Sequence, residues 1–448
     1  MKTRGPERLV WLLCMAMIAG SVTAQTNTKH EFTIQQAVDY ARKNNVQVKN
    51  ALLNIRSQEQ TNREITAGAL PNITGSIGVT NYIDIPTSLL PGEIFGQPAG
   101  TYIPVKFGTK YNSTANIQLQ QTLFDGQVFI GLQARATSIQ FQTKNMEVTE
   151  EAIKTNIYKI YYQLVLSKTQ IALLDANITR LEKLKHDANE LYKNGFAEKL
   201  DLDKISVQLS NLQTEKTKAL NSISIGYLGL KTLMGMPVKE SLVLVDQISE
   251  EQVKEDFSND TAYQYADRKD FQYLSLAKKL NEFNIKRYQL SSVPVLSLNG
   301  AYSKNAQRNT FDFFGKGDWF TTSYLGVNLS VPIFNGFART ARVSRTRIEL
   351  KETENQLDNL KLSIDGEVEQ AKINFKSSLA TMGFQKENMK LAETVYNQTK
   401  KKFEAGTGSN TEITAAQTDL ITAQTNYISA LYSAIIAKVD YLKATGKL

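Results

Sequence analysis

Two long stretches without proline, residues 105–236 and 333–448, constrain the fold of this chain more than any other sequence feature. An interior proline removes a backbone hydrogen bond and clashes with the preceding turn, so its absence permits very long helices. Within both stretches, apolar or small residues recur at alternating intervals of three and four, which is the pattern of a heptad seam. A continuous helix over residues 126–195 would be about 100 Å long, since each residue adds about 1.5 Å. Helices of that length bury such a seam by packing lengthwise as coiled coils.

A short motif follows each long helix and is present twice, 211 residues apart. The first copy is "YKNGFAEKLDLD" from Tyr192, and the second is "EAGTGSNTEIT" from Glu404. In each copy a glycine, Gly195 or Gly406, can supply the positive φ that commonly ends a helix, and helical spacing resumes a few residues later. Residues 195–200 and 406–411 are therefore predicted to be tight turns between helices. We call them the first tip and the second tip.

Four other segments alternate apolar and polar residues, as β-strands with one apolar and one polar face do. These strands are predicted at about residues 70–85, 111–124, 293–303 and 320–334. Each pair flanks an irregular connection, the first rich in proline and glycine (about 86–110) and the second rich in aromatic residues (about 304–319). The aromatic residues fit either an interfacial girdle or a loop packed over the mouth of a barrel. They are Phe311, Phe313, Phe314 and Trp319.

The order of these elements divides the chain into two related halves. Residues 1–24 have the basic start, apolar middle and small-residue cleavage site of a secretory signal peptide. Residues 25–235 form the first repeat and residues 263–448 the second, each predicted to run helix, strand, loop, strand, long helix, tip and helix. A polar segment, residues 236–262, fits neither pattern and connects them. The repetition predicts an internally duplicated protomer of mixed α+β class.

The composition excludes several classes of function. The only cysteine, Cys14, lies in the signal segment, so disulfide and thiol chemistry are not expected in the mature chain. Removing that segment lowers the formal net charge from +8 to +6, and the remaining basic residues are interspersed with acidic ones, so no nucleic-acid partner is expected. His30 and His186 are the only histidines, and no convergent set of acid, base, nucleophile or metal ligand is visible. Neither an enzyme, a metal site nor a cofactor is predicted.

The mature part of this exported chain has no apolar run long enough for a transmembrane helix. If the chain enters a membrane, its strands must therefore do so. Four strands leave open edges, which lipid does not tolerate, and they are too few to close a barrel alone. Three copies would supply twelve strands, so a trimeric outer-membrane barrel continued by a tube of helices is the simplest solution. The alternatives are a soluble protein whose strands pack on its helices and an exported structural coiled-coil or surface protein.

The chain resembles the TolC-like outer-membrane efflux proteins over about residues 31–446. The resemblance lies in "FTIQQAVDYARKNNVQVKNA" from Phe32, "LPNITGS" from Leu70, "LFDG" and "IFNG" after the strand pairs, "RKDFQYLSLAKK" from Arg268, and the two tips. It implies a homotrimer in the lipid of the bacterial outer membrane, with a twelve-stranded barrel and a long periplasmic tunnel of helices. It also implies a periplasmic adaptor protein as partner and, through it, an inner-membrane transporter that is proton-driven or of the ABC type. Substrates would pass through this component without any bond being made or broken.

The two tips are the first candidate site, because the resemblance implies that the adaptor docks there and an exposed helical hairpin offers a compact face to other coiled coils. The candidate docking residues are Gly195, Phe196, Ala197, Leu200, Gly406, Thr407, Gly408 and Ser409. Asp201 and Glu412, together with Asp203, are candidates for an acidic constriction that attracts cations and gates flow. An ordinary acidic first turn, which favours the helix dipole, explains these residues equally well.

Overall fold

The computed structural model describes residues 29–248, 250–254, 263–315 and 317–448. The predicted signal peptide, residues 1–24, lies outside these ranges, and the connecting segment 236–262 is described in part. In chain order the elements are β1 (Lys29–Phe32), α1 (Ile34–Asn44), α2 (Val46–Ala67), β2 (Asn72–Asn81), β3 (Thr87–Pro91), β4 (Tyr102–Lys106), β5 (Tyr111–Phe124), α3 (Gly126–Lys193), α4 (Lys199–Met234), β6 (Ser241–Leu244), α5 (Glu250–Lys254), α6 (Lys269–Gln289), β7 (Val295–Arg308), β8 (Phe320–Ser330), α7 (Ala338–Glu404) and α8 (Asn410–Ala444).

The long helices predicted from the proline-free stretches are α3, with 68 residues, and α7, with 67. Their heptad positions are buried, for example Ile157 and Leu181 on α3 and Phe375 and Met382 on α7. At about 1.5 Å per residue each of these helices is about 100 Å long. Across the residues that the structure describes, no helix is both long enough and apolar enough to cross a membrane.

The chain divides into two compact units, and each unit takes residues from both halves of the sequence. The first unit comprises the chain up to Lys49, Thr149–Gln264 and Asp365–Leu448. In it β1 and β6 pair in parallel, and Tyr161 of α3 lies fully buried in the adjoining core, its hydroxyl donating to the carbonyl oxygen of Phe32 at 2.9 Å. The connecting segment, which matched no pattern in the sequence, therefore contains a strand. Its hydrogen-bonding partner lies about 200 residues away in the chain, where local periodicity cannot reveal it.

The second unit comprises Asn50–Val148 and Tyr265–Ile364. Its main sheet has four antiparallel strands in the order β2-β5-β7-β8, so β2 and β8 are the edges. Helices α2 and α3 are joined by a hydrogen bond of 3.0 Å from Asn62 Nδ2 to the carbonyl of Arg135. The rings of Phe141 on α3 and Tyr273 on α6 stack at 4.5 Å. Polar and aromatic contacts thus hold the helices of this unit to one another.

The two faces of this sheet differ in polarity, as the alternation of residues predicted. One face carries Ile73, Ile77, Val79, Ile117, Leu119, Leu298, Leu325, Val327 and Leu329. The opposite face carries Thr74, Ser76, Thr80, Gln118, Gln120, Asn299, Ser303, Asn328 and Ser330. Most of the apolar face is exposed in a single protomer. An apolar surface of this kind marks contact with lipid or with another protein.

The connections and some strand ends differ from the sequence-based prediction. Residues 86–110 are not irregular, since they contain the hairpin β3–β4, whose prolines Pro91 and Pro104 are tolerated because each strand of a two-stranded sheet is an edge. β2 ends at Asn81 rather than near 85, and β7 runs to Arg308 rather than 303. β8 ends at Ser330 rather than near 334, because the following Pro332 has no N–H to continue the ladder.

Candidate functional site

A hydrogen-bonded cap ends α3 at the first tip. Gly195 has a φ of 73°, its N–H donates to the carbonyl of Tyr192 at 3.0 Å, and the N–H of Phe196 donates to the carbonyl of Leu191 at 2.9 Å. This is the Schellman pattern, in which the last carbonyls of a helix pair with the backbone just beyond its end. Phe196 is 81% exposed, and Leu200 is exposed as well. The first tip therefore presents apolar side chains on a backbone fixed by hydrogen bonds.

The second tip has the same cap with different side chains. Gly406 also has a φ of 73°, and the N–H groups of Thr407 and Gly408 both donate to the carbonyl of Lys402 at 3.0 Å. A Cβ on Gly408 would lie 3.0 Å from the backbone nitrogen of Phe403, so the turn passes closely over the end of α7. The residues at this turn are small or polar, and the second tip is less apolar than the first.

The helices that follow the tips begin differently. Ser409 caps α8 through a capping box, in which its Oγ accepts from the N–H of Glu412 at 3.2 Å and the Glu412 carboxylate accepts from the N–H of Ser409 at 3.3 Å. Glu198, the corresponding residue at the first tip, makes no side-chain cap. The carboxylate of Glu412 therefore helps to fix the start of α8.

The acidic candidates of the first tip lie in the first turns of α4. Asp201 Oδ1 is 4.0 Å from Lys204 Nζ, and Asp203 is exposed. Asp201 sits at the same helical position as Glu412 does on α8, where a carboxylate is favoured by the helix dipole. Asp201 thus contacts Lys204 of its own helix, and Glu412 contacts the capping residue of its own helix.

A buried polar cluster ties α3 to α7 and α8. Asn177 Nδ2 donates to Gln424 Oε1 at 2.8 Å, and Gln417 Nε2 donates to Asn177 Oδ1 at 3.0 Å. Asn177 is 2% exposed and Gln417 is 1% exposed. Arg180 Nη1 donates to Asn177 Oδ1 at 3.1 Å, while its guanidinium lies 5.7 Å from the centre of the Tyr396 ring on α7. One side chain of α3 is thus bonded to two positions of α8 and is linked through Arg180 to α7.

This cluster was not predicted from the sequence. Gln417 and Gln424 are seven residues apart, one position beyond the apolar seam of α8, which is a signal that could have pointed to a buried polar layer. Gln213 of α4 stands 211 residues before Gln424 and is exposed, although the two are the same residue at repeated positions. Burial of this residue type therefore depends on which helix faces it.

A second polar cluster fastens the connecting segment to the second half of the chain. The Glu250 side chain of α5 is 15% exposed, and it accepts hydrogen bonds from Lys386 Nζ of α7 at 2.8 Å and from the Tyr427 hydroxyl of α8. Burial tends to raise the pKa of Glu250, but the hydrogen bonds from Lys386 and Tyr427 and the charges of Lys386 and Lys254 hold it below its ordinary value. Burial and the hydrogen bond to Glu250 raise the pKa of the Tyr427 hydroxyl. An ionised carboxylate therefore joins three elements.

Within the described ranges, no group of three or more His, Cys, Asp or Glu side chains is arranged to hold a metal ion.

Comparison with known proteins places the fold among outer-membrane channels. The solved structure of the Campylobacter jejuni CmeC outer membrane channel superimposes with a TM-score of 0.73 at 16% identity, covering 92% of this chain and 85% of that one. The family model described as Outer membrane efflux protein matches residues 267–447.

Two curated relatives extend the match toward the N-terminus. Outer membrane protein TolC of Vibrio cholerae is 18% identical over 338 residues, which cover 75% of this chain and 77% of that protein. Outer membrane efflux protein BepC of Brucella suis is 20% identical over 421 residues, which cover 93% and 86%. The chain is similar to TolC-like outer-membrane efflux proteins, and the resemblance carried by its motifs is confirmed.

The chain is an outer-membrane efflux or secretion channel with a periplasmic extension, which confirms the predicted function and localisation. The alternative of an exported structural coiled-coil protein is not favoured. The proteins that the chain resembles in sequence and in fold are outer-membrane channels and not enzymes.

Proposed function

We propose that three copies of this chain form one twelve-stranded barrel in the outer membrane, continued into the periplasm by a tunnel of the long helices. Substrates leave the cell through this duct without chemical change. The proposal includes an internal duplication, with residues 25–235 and 263–448 as repeats joined by residues 236–262. Each protomer then contributes two strand pairs and two tips.

The open four-stranded sheet carries this proposal. Its edge strands β2 and β8 have 10 and 11 residues, and each pairs with one neighbour in the sheet. Membrane strands are about 9–11 residues long, and lipid does not tolerate unpaired edges. Pairing β2 of one copy with β8 of the next satisfies both edges and turns the apolar face to lipid and the polar face to the lumen. Two copies would close a barrel of eight strands, whose interior is filled by side chains, whereas three leave room for a channel.

The two tips are proposed to dock a periplasmic adaptor protein, which would couple the channel to an inner-membrane transporter that is proton-driven or of the ABC type. The fixed backbones of the two caps and the exposed side chains of Phe196 and Leu200 support this proposal. In a trimer, apolar first tips and polar second tips would alternate, so adjacent adaptor contacts would differ. The docking residues proposed are Gly195, Phe196, Ala197, Leu200, Gly406, Thr407, Gly408 and Ser409.

Asp201, Asp203 and Glu412 are proposed as the acidic residues of a constriction at the periplasmic end of the tunnel. Their position directly after the tips supports this role, since rings of carboxylates select for cations in a narrow pore. Glu412 would combine this function with its capping bonds to Ser409. Lys204 beside Asp201 would weaken the field of the first tip relative to that of the second.

Native mass spectrometry and planar-bilayer recording of the purified full-length protein in detergent test the proposed trimer and duct. The expected results are a mass of three chains and ion conductance through the same preparation. A monomer or dimer as the largest stable species would contradict the barrel of three copies. Folded trimers that conduct no ions, even with Asp201, Asp203 and Glu412 neutralised, would contradict the duct.

A further inference from the structure

The β3–β4 hairpin exposes an apolar face that a single protomer leaves uncovered. The register places Leu89 opposite Pro104 and Pro91 opposite Tyr102, so these four side chains lie on one side of the hairpin. Leu89 and Tyr102 are each 64% exposed. On the other side of the hairpin, Leu90 and its partner Ile103 are half-buried. The exposed face is therefore an apolar surface of ordered β-structure.

The turn of this hairpin is held in one conformation. The N–H of Gly92 donates to the carbonyl of Thr101 at 2.7 Å, and the N–H of Gln97 donates to the carbonyl of Gly92 at 3.0 Å. A Cβ on Gly92 would lie 2.2 Å from Thr101 Oγ1, so a larger residue there would force Thr101 to move. Gly96 and Gly100 have φ values of 76° and 85°, which glycine adopts without strain. The hairpin thus presents its apolar face at a defined position.

The connection between β7 and β8 lies at the same end of the sheet as the hairpin. Because the strands are antiparallel, the β2–β5 and β7–β8 connections leave the sheet together, where Tyr111 pairs with Asn81 on one side and Arg308 on the other. Arg308 Nη1 donates to Asp312 Oδ1 at 3.1 Å, and its guanidinium lies 5.4 Å from the centre of the Phe313 ring.

Residues 311–314 of this connection also expose large apolar groups. Phe314 is 96% exposed, and Phe311 is exposed as well while its ring contacts those of Tyr111 and Phe313. Two ordered apolar surfaces therefore lie at one end of the sheet. The hairpin follows edge strand β2, and the aromatic pair precedes edge strand β8.

Lipid is a poor candidate for covering the hairpin. The segment from β2 to β5, which includes the hairpin, carries four exposed charged residues, namely Asp84, Glu93, Lys106 and Lys110. Charged side chains at this density belong outside the hydrocarbon layer. An apolar face at that level is in water unless another protein surface covers it.

We propose that Leu89 and Tyr102 of the β3–β4 hairpin pack against Phe311 and Phe314 of the neighbouring copy of this chain. This inference rests on the proposed trimer, in which β2 of one copy pairs with β8 of the next. That pairing brings the connection after β2 beside the connection before the neighbour's β8. Three such contacts form an apolar belt between subunits, at the end of the barrel where these two connections lie.

Cysteine cross-linking in the full-length trimer tests this contact. The L89C/F314C variant is treated with a short bismaleimide, and denaturing gels are expected to show bands of two and three linked chains. The matched control is L89C/F384C, because Phe384 is also a well-exposed phenylalanine but lies on α7; it should remain monomeric on the gel. Cys14, the only native cysteine, belongs to the predicted signal peptide.

Native mass spectrometry on the same samples distinguishes two outcomes of this experiment. An intact trimer without cross-linked bands would overturn the hairpin contact and leave the proposed barrel standing. The absence of a trimer would overturn the proposed barrel and this inference with it. A nitroxide at position 89 that collides with lipid-soluble oxygen, and not with a water-soluble relaxing agent, would assign the face to lipid and also overturn the contact.

A polar substitution provides an independent measurement. The L89S/Y102S variant is expected to lower the temperature at which the trimer dissociates by several degrees, because it removes apolar side chains from a buried interface. The same change on a face open to water would leave that temperature unaltered, since isolated surface substitutions are nearly neutral. An unaltered dissociation temperature would overturn the proposal.

Discussion

Asn177 is a single polar side chain that can set how three long helices are held. An apolar seam residue packs almost equally well one heptad higher or lower, whereas Asn177 meets Gln417 and Gln424 in one register only. Glu250 acts similarly on the connecting segment, because its carboxylate is bonded to one residue of α7 and one of α8. Both residues are buried or nearly so, and both are hydrogen-bonded to specific partners on distant helices.

We expect N177L to destabilise the protein, because the amide of Gln417 and the guanidinium of Arg180 lose an acceptor in a buried site. Each buried polar group left unpaired costs about 1–3 kcal/mol. Denaturant unfolding followed by circular dichroism in detergent measures the loss. The triple variant N177L/Q417L/Q424L removes the buried amides together and should be more stable than N177L alone. A single variant as stable as the wild type, or a triple variant less stable than the single one, would contradict this assignment.

The contribution of Glu250 should depend on pH with a definite sign. Its pKa is lowered in the folded protein, so the stabilisation is fully present above the ordinary carboxyl pKa and is lost as pH falls through the lowered value. We therefore expect E250Q to melt below the wild type at neutral pH and the two to converge in acid.

Thermal unfolding across this pH range measures the convergence. E387Q is the matched control on α7, because Glu387 is an exposed partner of Lys390 and its ion pair should contribute little. A difference in melting temperature between the E250Q variant and the wild type that stays the same in acid would be evidence against stabilisation by an ionised Glu250 carboxylate.

At the scale of elements, the two tips share one backbone conformation but carry different side chains. The Schellman caps at Gly195 and Gly406 share the same φ, so both helical hairpins turn in the same way. The side chains that follow are Phe196 at one tip and Thr407 at the other. A docking partner would therefore contact similar backbones that carry an apolar side chain at one tip and a polar side chain at the other.

The proposed docking role predicts a selective defect for F196S. Phe196 is exposed, so its replacement should leave the melting temperature, the trimer and its conductance unchanged. The amount of periplasmic adaptor protein recovered with the channel from native envelopes, measured by mass spectrometry, should fall. F384S is the matched control, since Phe384 is also an exposed phenylalanine but lies on α7, 20 residues before the end of that helix. Equal adaptor recovery with the F196S and F384S variants would speak against docking at the first tip.

At the scale of the whole molecule, a sheet with two open edges and an exposed apolar face is incomplete as a single chain. In a single chain most of the apolar side chains of β2 and β8 are exposed to solvent. Lipid can cover the face, but it cannot satisfy the backbone groups of the edges. In the proposed barrel other copies of the chain pair with these edges, and the number of copies sets how many tips and acidic residues surround the proposed tunnel.

The proposed acidic constriction predicts a change in ion selectivity for D201N/D203N/E412Q. Removing these carboxylates should lower the preference for cations over anions, measured from the reversal potential in a salt gradient across a planar bilayer. Glutamine at position 412 keeps the capping box with Ser409, so the fold of α8 should be unaffected. The control E215Q/E352Q/E393Q makes the same change in charge at exposed helical positions. Equal selectivity of both variants would rule against the constriction.

The sequence allowed the main elements to be predicted where the physical signal is local. The absence of proline and the heptad spacing predicted α3 and α7, and the glycines at 195 and 406 predicted the tips. Alternation predicted the four strands of the sheet, with ends displaced where pairing continued or a proline stopped it, as at Pro332. The hairpin β3–β4 was missed because its prolines and glycines resemble an irregular loop.

The sequence by itself determined the long helices, their caps and the two-faced strands, because each depends on residues within a few positions of one another. Only the tertiary structure decided which of two equivalent residues is buried, as with Gln424 in its polar cluster and Gln213 in solvent. It also decided the pairing of β1 with β6 and the bonding of Glu250 to two distant helices. These contacts join residues more than a hundred positions apart, so their energy depends on how the elements pack and not on any local pattern.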